Sequence, residues 1–96
     1  MQIRKYYKDF DKDKELEENG KIPVHRLLFY ISEEVIVFLD LKDKDTKEEI
    51  ISRFNKGKDI KMHDTDKDSE LYVPRNQIKM MEVHEVELTE EDFTEE

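Results

Sequence analysis

The chain has no cysteine, only two glycines and two prolines, and nowhere a long uninterrupted apolar run. Without cysteine there is no disulfide framework and no thiolate metal site. With so little glycine and proline, most turns must be built from Asp, Asn, Ser and Lys. No apolar stretch approaches the ~18 residues of a membrane span. The opening MQIRKYYKDF lacks the apolar segment of a secretory signal. A soluble, cytoplasmic protein is the expectation. Its 96 residues bound it to one domain with one modest core.

Absences also bear on catalysis. Gly20 and Gly57 are too far apart for a phosphate-cradling loop. The serines are Ser32, Ser52 and Ser69, and none lies in a nucleophile-elbow sequence. Asp and Glu together number 26, so a pair of carboxylates carries no information about a general acid or base. Neither an enzyme activity nor a cofactor is expected.

What is present is charge, unevenly placed. The net charge is −9. Residues 80–96 hold eight acids and no Lys or Arg, which leaves residues 1–79 almost neutral at −1. The best basic patch is Lys42, Lys44, Lys47, Arg53, Lys56, Lys58 and Lys61. Asp43, Asp45, Glu48, Glu49 and Asp59 interleave it, so its field nearly cancels over a Debye length. Direct binding to nucleic acid is therefore not expected.

Residues 24–41, VHRLLFYISEEVIVFLDL, are the densest apolar stretch, with twelve apolar residues in eighteen. A helix would leave Phe29, Tyr30, Ile36, Val37 and Leu41 on its polar side. A β-hairpin with both faces covered suits the β-branched and aromatic content better. Its loop is expected at about three or four residues.

Before the hairpin, Ile3, Tyr6, Tyr7 and Phe10 carry helical spacing, although Ile3, Lys5 and Tyr7 also share one face of a strand. The helix is favoured. The Asp-Lys-Glu run that follows reads as solvated chain, and Asn19-Gly20 as a C-cap or turn. Pro23 is expected ahead of the paired part of the first strand. After the hairpin, Thr46 and Glu49 form a capping box, with Ile50, Ile51 and Phe54 as a buried stripe and Gly57 as the stop. That predicts a helix over 47–56. The remainder reads as a meander: strands over 59–63, 70–73 and 78–88, with a turn at Pro74-Arg75-Asn76. Met81 and Val83 keep one alternation while Val86 and Leu88 need the other, which predicts a β-bulge near His84 or Glu85. The fold expected is α+β. An antiparallel sheet of about five strands (hairpin 24–41 plus meander 58–88) packs on one short helix, with a further N-terminal helix. The domain spans 1–88, and 89–96 form an acidic tail, disordered or a nascent helix started by Thr89.

Metal sites fit poorly. Asp64, Asp66 and Asp68 have calcium-loop spacing, but Ser69 stands for the glycine and Arg75 for the final glutamate. Asp9, Asp11 and Asp13 fail likewise, at Lys14 and Gly20. His25, His63 and His84 lack ligand spacing, and only His63 beside His84 on neighbouring strands would be worth testing. Among the aromatics, Tyr6, Tyr7, Tyr30 and Tyr72 read as core or as interface anchors.

The function expected is therefore an interaction with a protein of basic surface. Its residues are Glu82, Glu85, Glu87, Glu90, Glu91, Asp92, Phe93, Glu95 and Glu96, with Phe93 a docking anchor in the tail. Small acidic inhibitors of nucleic-acid enzymes (DNA mimics, anti-restriction and anti-CRISPR proteins) form that class, and the chain is similar to them in size and charge only. The alternative is an assembly module, a homodimer paired through the last strand with the tail serving solubility.

Overall fold

A computed structural model of the protein describes residues 1–65 and 67–93. The chain runs β1 (Gln2–Tyr7), α1 (Lys12–Asn19), β2 (Lys21–Tyr30), β3 (Val35–Leu41), α2 (Lys44–Asn55), β4 (Ile60–Asp64), β5 (Ser69–Val73) and β6 (Met80–Thr89). Single 3₁₀ turns follow β5 and β6, at Arg75–Gln77 and Glu90–Phe93. The α+β class holds, but the strands form two sheets: four strands in the order β1-β3-β2-β6, and the β4-β5 hairpin alone. The larger sheet is mixed, because β1 runs parallel to β3. The hairpin over 24–41 is β2-β3, joined by residues 31–34. β6 returns to pair with β2 rather than extending a meander from β5.

The first ten residues correct the helical expectation. Tyr6 packs against one hydrophobic cluster, and Tyr7 and Phe10 belong to another. A strand covered on both faces buries successive residues, and so imitates helical spacing. The helix lies instead in the charged run. Asp11 caps α1 by accepting from the Asp13 and Lys14 N–H groups. Gly20 closes it in the left-handed region (φ 77°), its N–H reaching Leu16 O at 2.8 Å. No residue of α1 is buried, so no apolar stripe marks it.

α2 starts three residues before the expected Lys47. Asp43, not Thr46, is the N-cap, and its carboxylate accepts both the Thr46 N–H (3.0 Å) and the Thr46 hydroxyl (2.6 Å). The Thr46 hydroxyl is thereby committed as a donor and does not cap the helix. Pro23 also lies inside a paired strand, opposite Glu87. On its other side β3 stops at Leu41 opposite His25, so no neighbour requires the missing N–H.

Side-chain alternation divides the large sheet into two faces. On one, Leu27, Phe29, Val37, Leu39 and Leu41 pack with Ile50 of α2, Ile60, Met62, Leu71 and Val73 of the hairpin, and Ile78. On the other, Ile22, Val24 and Leu88 pack with Tyr7 and Phe10, and Leu16 of α1, Val86 and Phe93 lie against them. We call these the α2 face and the α1 face. The register of β2 on β6 runs without a skipped residue from Lys21↔Thr89 to Tyr30↔Met80. There is no bulge near His84 or Glu85. The alternation changes phase because each face is covered over a different part of the strand.

Among the described residues, two acids are fully buried. Asp40 receives the Arg26 guanidinium in a two-pronged contact (2.9 and 3.1 Å). Asp64 accepts the N–H of Tyr7 (3.1 Å) and of Lys67 (2.7 Å). The Thr65 N–H donates to the Tyr7 carbonyl at 2.7 Å, so the β4-β5 turn is latched onto the outer side of β1.

Candidate functional site

With β1 latched by that turn, the other edge of the large sheet is β6. It is a ten-residue strand carrying Glu82, Glu85 and Glu87, with no Lys or Arg. A long edge strand invites pairing, and charge on it is a common protection. Alternation sends Glu85 and Glu87 to the α2 face and Glu82 to the α1 face, so the acids straddle the edge rather than form one row.

Each has a partner of its own. Glu85 meets His25 Nδ1 at 2.7 Å and Lys47 Nζ at 3.9 Å. Glu87 meets Lys21 at 3.4 Å. Glu82 meets His84 Nε2 at 3.0 Å and accepts from the Tyr30 hydroxyl at 3.3 Å. The hydrogen bond from His25, joined by the charges of His25 and Lys47, holds the Glu85 carboxyl below its ordinary range. His84 first, then Tyr30, do the same for Glu82. A shallow groove lined by Pro23, His25, Lys42, Glu85 and Glu87 runs along this end of the α2 face.

Beyond the strand, Glu90–Phe93 make one 3₁₀ turn, with Asp92 accepting the Thr89 N–H at 2.7 Å. Glu90, Glu91 and Asp92 are exposed. Phe93 is half-buried: its ring lies 5.5 Å from that of Tyr7, with Lys12 Nζ 5.0 Å above it. It faces the second core, which is not the placement of a free docking anchor. Glu95 and Glu96 fall outside the described residues.

The other candidate residues are scattered. His25 and His84 lie on the large sheet beside different glutamates, while His63 is on β4, between Asp68 (3.2 Å) and Glu70 (3.3 Å). His63 and His84 are in separate sheets and do not neighbour each other in a ladder. Asp64 is spent on backbone N–H groups, and Asp66 is outside the described residues. Tyr7 is buried, Lys67 Nζ sits 4.3 Å above the half-buried Tyr6 ring, and the Tyr72 hydroxyl donates to Asp59 at 2.7 Å. Tyr30 lies on an open part of the α1 face.

That open part is what inspection of the sequence missed. The pairing registers place Ile3, Ile36, Tyr30 and Met80 side by side across β1, β3, β2 and β6. Lys5, Phe38, Leu28 and Glu82 form the next row, and Tyr7, Asp40, Arg26 and His84 the third. Among the described residues, α1 and the terminal turn cover only the other end, around Ile22, Val24 and Leu88. Ile3, Leu28, Tyr30, Ile36, Phe38 and Met80 belong to neither core cluster. Ile3 is 48% and Met80 47% exposed. The signal was in the sequence as Leu28 and Tyr30 in one hairpin strand and Ile36 and Phe38 in the other, alternating with the residues of the opposite face, but their face could not be assigned before the coverings were known.

No family model, no curated protein and no solved structure matches the chain.

Proposed function

We propose that this chain is a non-enzymatic, acidic module that binds a protein through a basic surface. The fitting target class is a nucleic-acid enzyme whose substrate groove the module would occlude. One observation carries the reading: residues 80–93 form a continuous edge strand and turn with six carboxylates and no Lys or Arg. Their present partners do not prevent it. Exposed ion pairs are worth little individually and exchange readily. A basic groove offers Arg and Lys to several carboxylates at once, and the same charge speeds encounter.

The assembly reading through β6 is less well supported. Pairing two copies edge to edge would bring three glutamates from each into one ribbon without Lys or Arg, and like charges opposed across strands are destabilising.

The test is affinity capture from the producing cell with two baits, the intact chain and one with Glu82, Glu85, Glu87, Glu90 and Glu91 changed to Gln. The intact bait should retain a basic protein that is released by ~0.5 M salt and displaced by added nucleic acid, and the Gln bait should not retain it. Equal recovery on both baits, or recovery of no basic protein, would sink the reading.

A further inference from the structure

β1 is an edge strand, and the turn that latches it closes only one end. In the parallel pairing with β3, Gln2 and Lys8 send their N–H groups to the carbonyls of Glu34 and Asp40. A strand residue directs its N–H and C=O to the same side, and the side alternates along the chain. Gln2, Arg4, Tyr6 and Lys8 therefore face β3, while Ile3, Lys5 and Tyr7 face outward. At Tyr7 the β4-β5 turn takes the place of a neighbouring strand: Asp64 accepts the N–H and Thr65 donates to the C=O. Lys67 Nζ donates to the Lys5 C=O at 3.0 Å. Among the described residues, the N–H and C=O of Ile3 and the N–H of Lys5 have no partner. The open end thus offers two donors and an acceptor in strand geometry.

A groove of about 620 Å³ runs along this edge. Arg4, Lys5, Lys12 and Lys67 line it, against one acid, Asp92, among the described residues. That acid is already turned to the Thr89 N–H, at 2.7 Å. The cations stand on both sides of the sheet. Lys5 belongs to the α1 face, where Lys12 lies over the Tyr7 and Phe93 rings. Arg4 belongs to the α2 face, where Lys67 lies over the Tyr6 ring. Arg4 and Lys5 are exposed and, among the described residues, have no ion pair. In a chain of net charge −9, a local field of this sign draws an anionic partner to one place.

We propose that this edge binds an extended acidic segment of a partner protein, which adds to β1 as a fifth strand of the large sheet. In antiparallel addition, Ile3 exchanges both hydrogen bonds with one residue of the segment, and Lys5 with the residue two before it. Lys67 yields the Lys5 C=O to the incoming N–H and turns its ammonium to a carboxylate, an exchange between exposed groups that costs little. Side chains of the added strand lie beside those of β1 on the same face. An apolar residue opposite Ile3 extends the row of Ile36, Tyr30 and Met80. Acids opposite Arg4, Lys5 and Tyr6 meet cations on both faces. Consecutive acids followed by an apolar residue therefore fit, whereas alternating acids would leave the cations of one face unmet. A phosphate or a nucleic acid would answer the cations but not the strand groups of Ile3. The site is at the opposite edge from Glu82, Glu85 and Glu87, so this reading and the partner-binding reading can each fail alone.

The probe is the capped peptide acetyl-Glu-Glu-Glu-Val-Thr-Val-amide, titrated into the full ¹⁵N-labelled chain and followed by NMR. It should bind saturably with a dissociation constant of about 1 mM or tighter. The amides of Ile3 and Lys5 should move downfield and exchange more slowly with solvent, while those of Gln2, Arg4 and Tyr6, already bonded to β3, keep their exchange rates. Methylating the backbone nitrogen of the first valine, which removes the N–H meant for the Ile3 C=O, should weaken binding about tenfold or more. Replacing the three Glu by Gln, or changing Arg4→Gln with Lys5→Gln in the chain, should weaken it about fivefold or more. Ile3→Pro should also abolish binding, because it removes an outward N–H and leaves the bonds to β3 in place. The methylated peptide tests the same bond on the unaltered chain. No saturable change up to about 5 mM peptide would overturn the proposal. Equal binding by the methylated peptide would do so too, making the groove a charge site for any polyanion, as would equal binding by the Gln peptide. Slow exchange at Ile3 and Lys5 that grows with the concentration of the chain alone would give the edge to a second copy and overturn it as well.

Discussion

Changing Arg26 to methionine removes the cation from a carboxylate that has no access to water. Asp40 is fully buried, and Arg26, whose side chain is 16% exposed, supplies both of its prongs at 2.9 and 3.1 Å. The guanidinium also lies 4.6 Å from the centre of the Phe38 ring. Breaking a buried pair from one side costs about 3–5 kcal/mol, because the remaining charge is stranded. The small exposure of Arg26 argues for the lower end, about 3 kcal/mol. At 0.05–0.15 kcal/mol per residue, 96 residues give a total stability of about 5–14 kcal/mol. The variant should thus lose a large share of its stability and about 12–24 °C in Tm. Asp40→Leu alone should cost less, since Arg26 lies near enough to solvent to turn its head group outward. The double variant, Arg26→Met with Asp40→Leu, should recover most of the loss, because a well-packed apolar pair needs no partner. Urea and thermal melts on the four proteins measure this cycle. A loss below about 1 kcal/mol for Arg26→Met, or a double variant no better than that single, would refute the reasoning.

Phe93→Ala should lower stability by about 1–2 kcal/mol, because the half-buried ring covers Tyr7. An unchanged melt would return Phe93 to the role of a free anchor. That contact is also why partner binding is better tested by Glu→Gln changes than by removing residues 89–96, which would uncover the second core. Acid should weaken the fold through Glu82 and Glu85. Both carboxyls lie below their ordinary value of 4.5 when folded, so their contribution is complete above that pH and lost as pH falls through the folded values. Glu85→Gln should flatten the decline in Tm between about pH 5 and about pH 3, and an unaltered slope would show that the His25 and Lys47 contacts do not matter.

Local signals carried the local structure. The cap at Gly20, the second helix, the hairpin over 24–41, the β4-β5 pair and the turn after Pro74 each depend on residues close in sequence. Pairings between distant segments did not reveal themselves. Nothing in residues 80–89 says that their partner is β2 rather than β5, because both offer alternating apolar positions. α1 escaped notice for a different reason. Its only apolar residue is Leu16, so amphipathicity gave no sign, and only the caps Asp11 and Gly20 with Lys and Glu between them marked a helix. The acidic site was legible as composition but not as geometry, since parity already separates Glu82 from Glu85 and Glu87.

The same parity explains why a bulge was the wrong inference. A strand that changes its buried alternation midway has two physical causes. Either an extra residue turns the side chains over, or the sheet is covered on one face at one end and on the other face at the other. β6 and β2 pair over ten positions without interruption, and both change phase at the same level, between Val24 and Leu27 in one and between Met81 and Val86 in the other. A bulge in one strand would not shift its neighbour, whereas diagonal covering shifts both. Diagonal covering also requires two uncovered halves. One, at Lys21, Pro23 and His25 opposite Glu85 and Glu87, is charged and suits water. The other, at Tyr30, Leu28, Ile36 and Phe38, is apolar. The surface that most needs a partner is therefore a consequence of the packing that makes the fold.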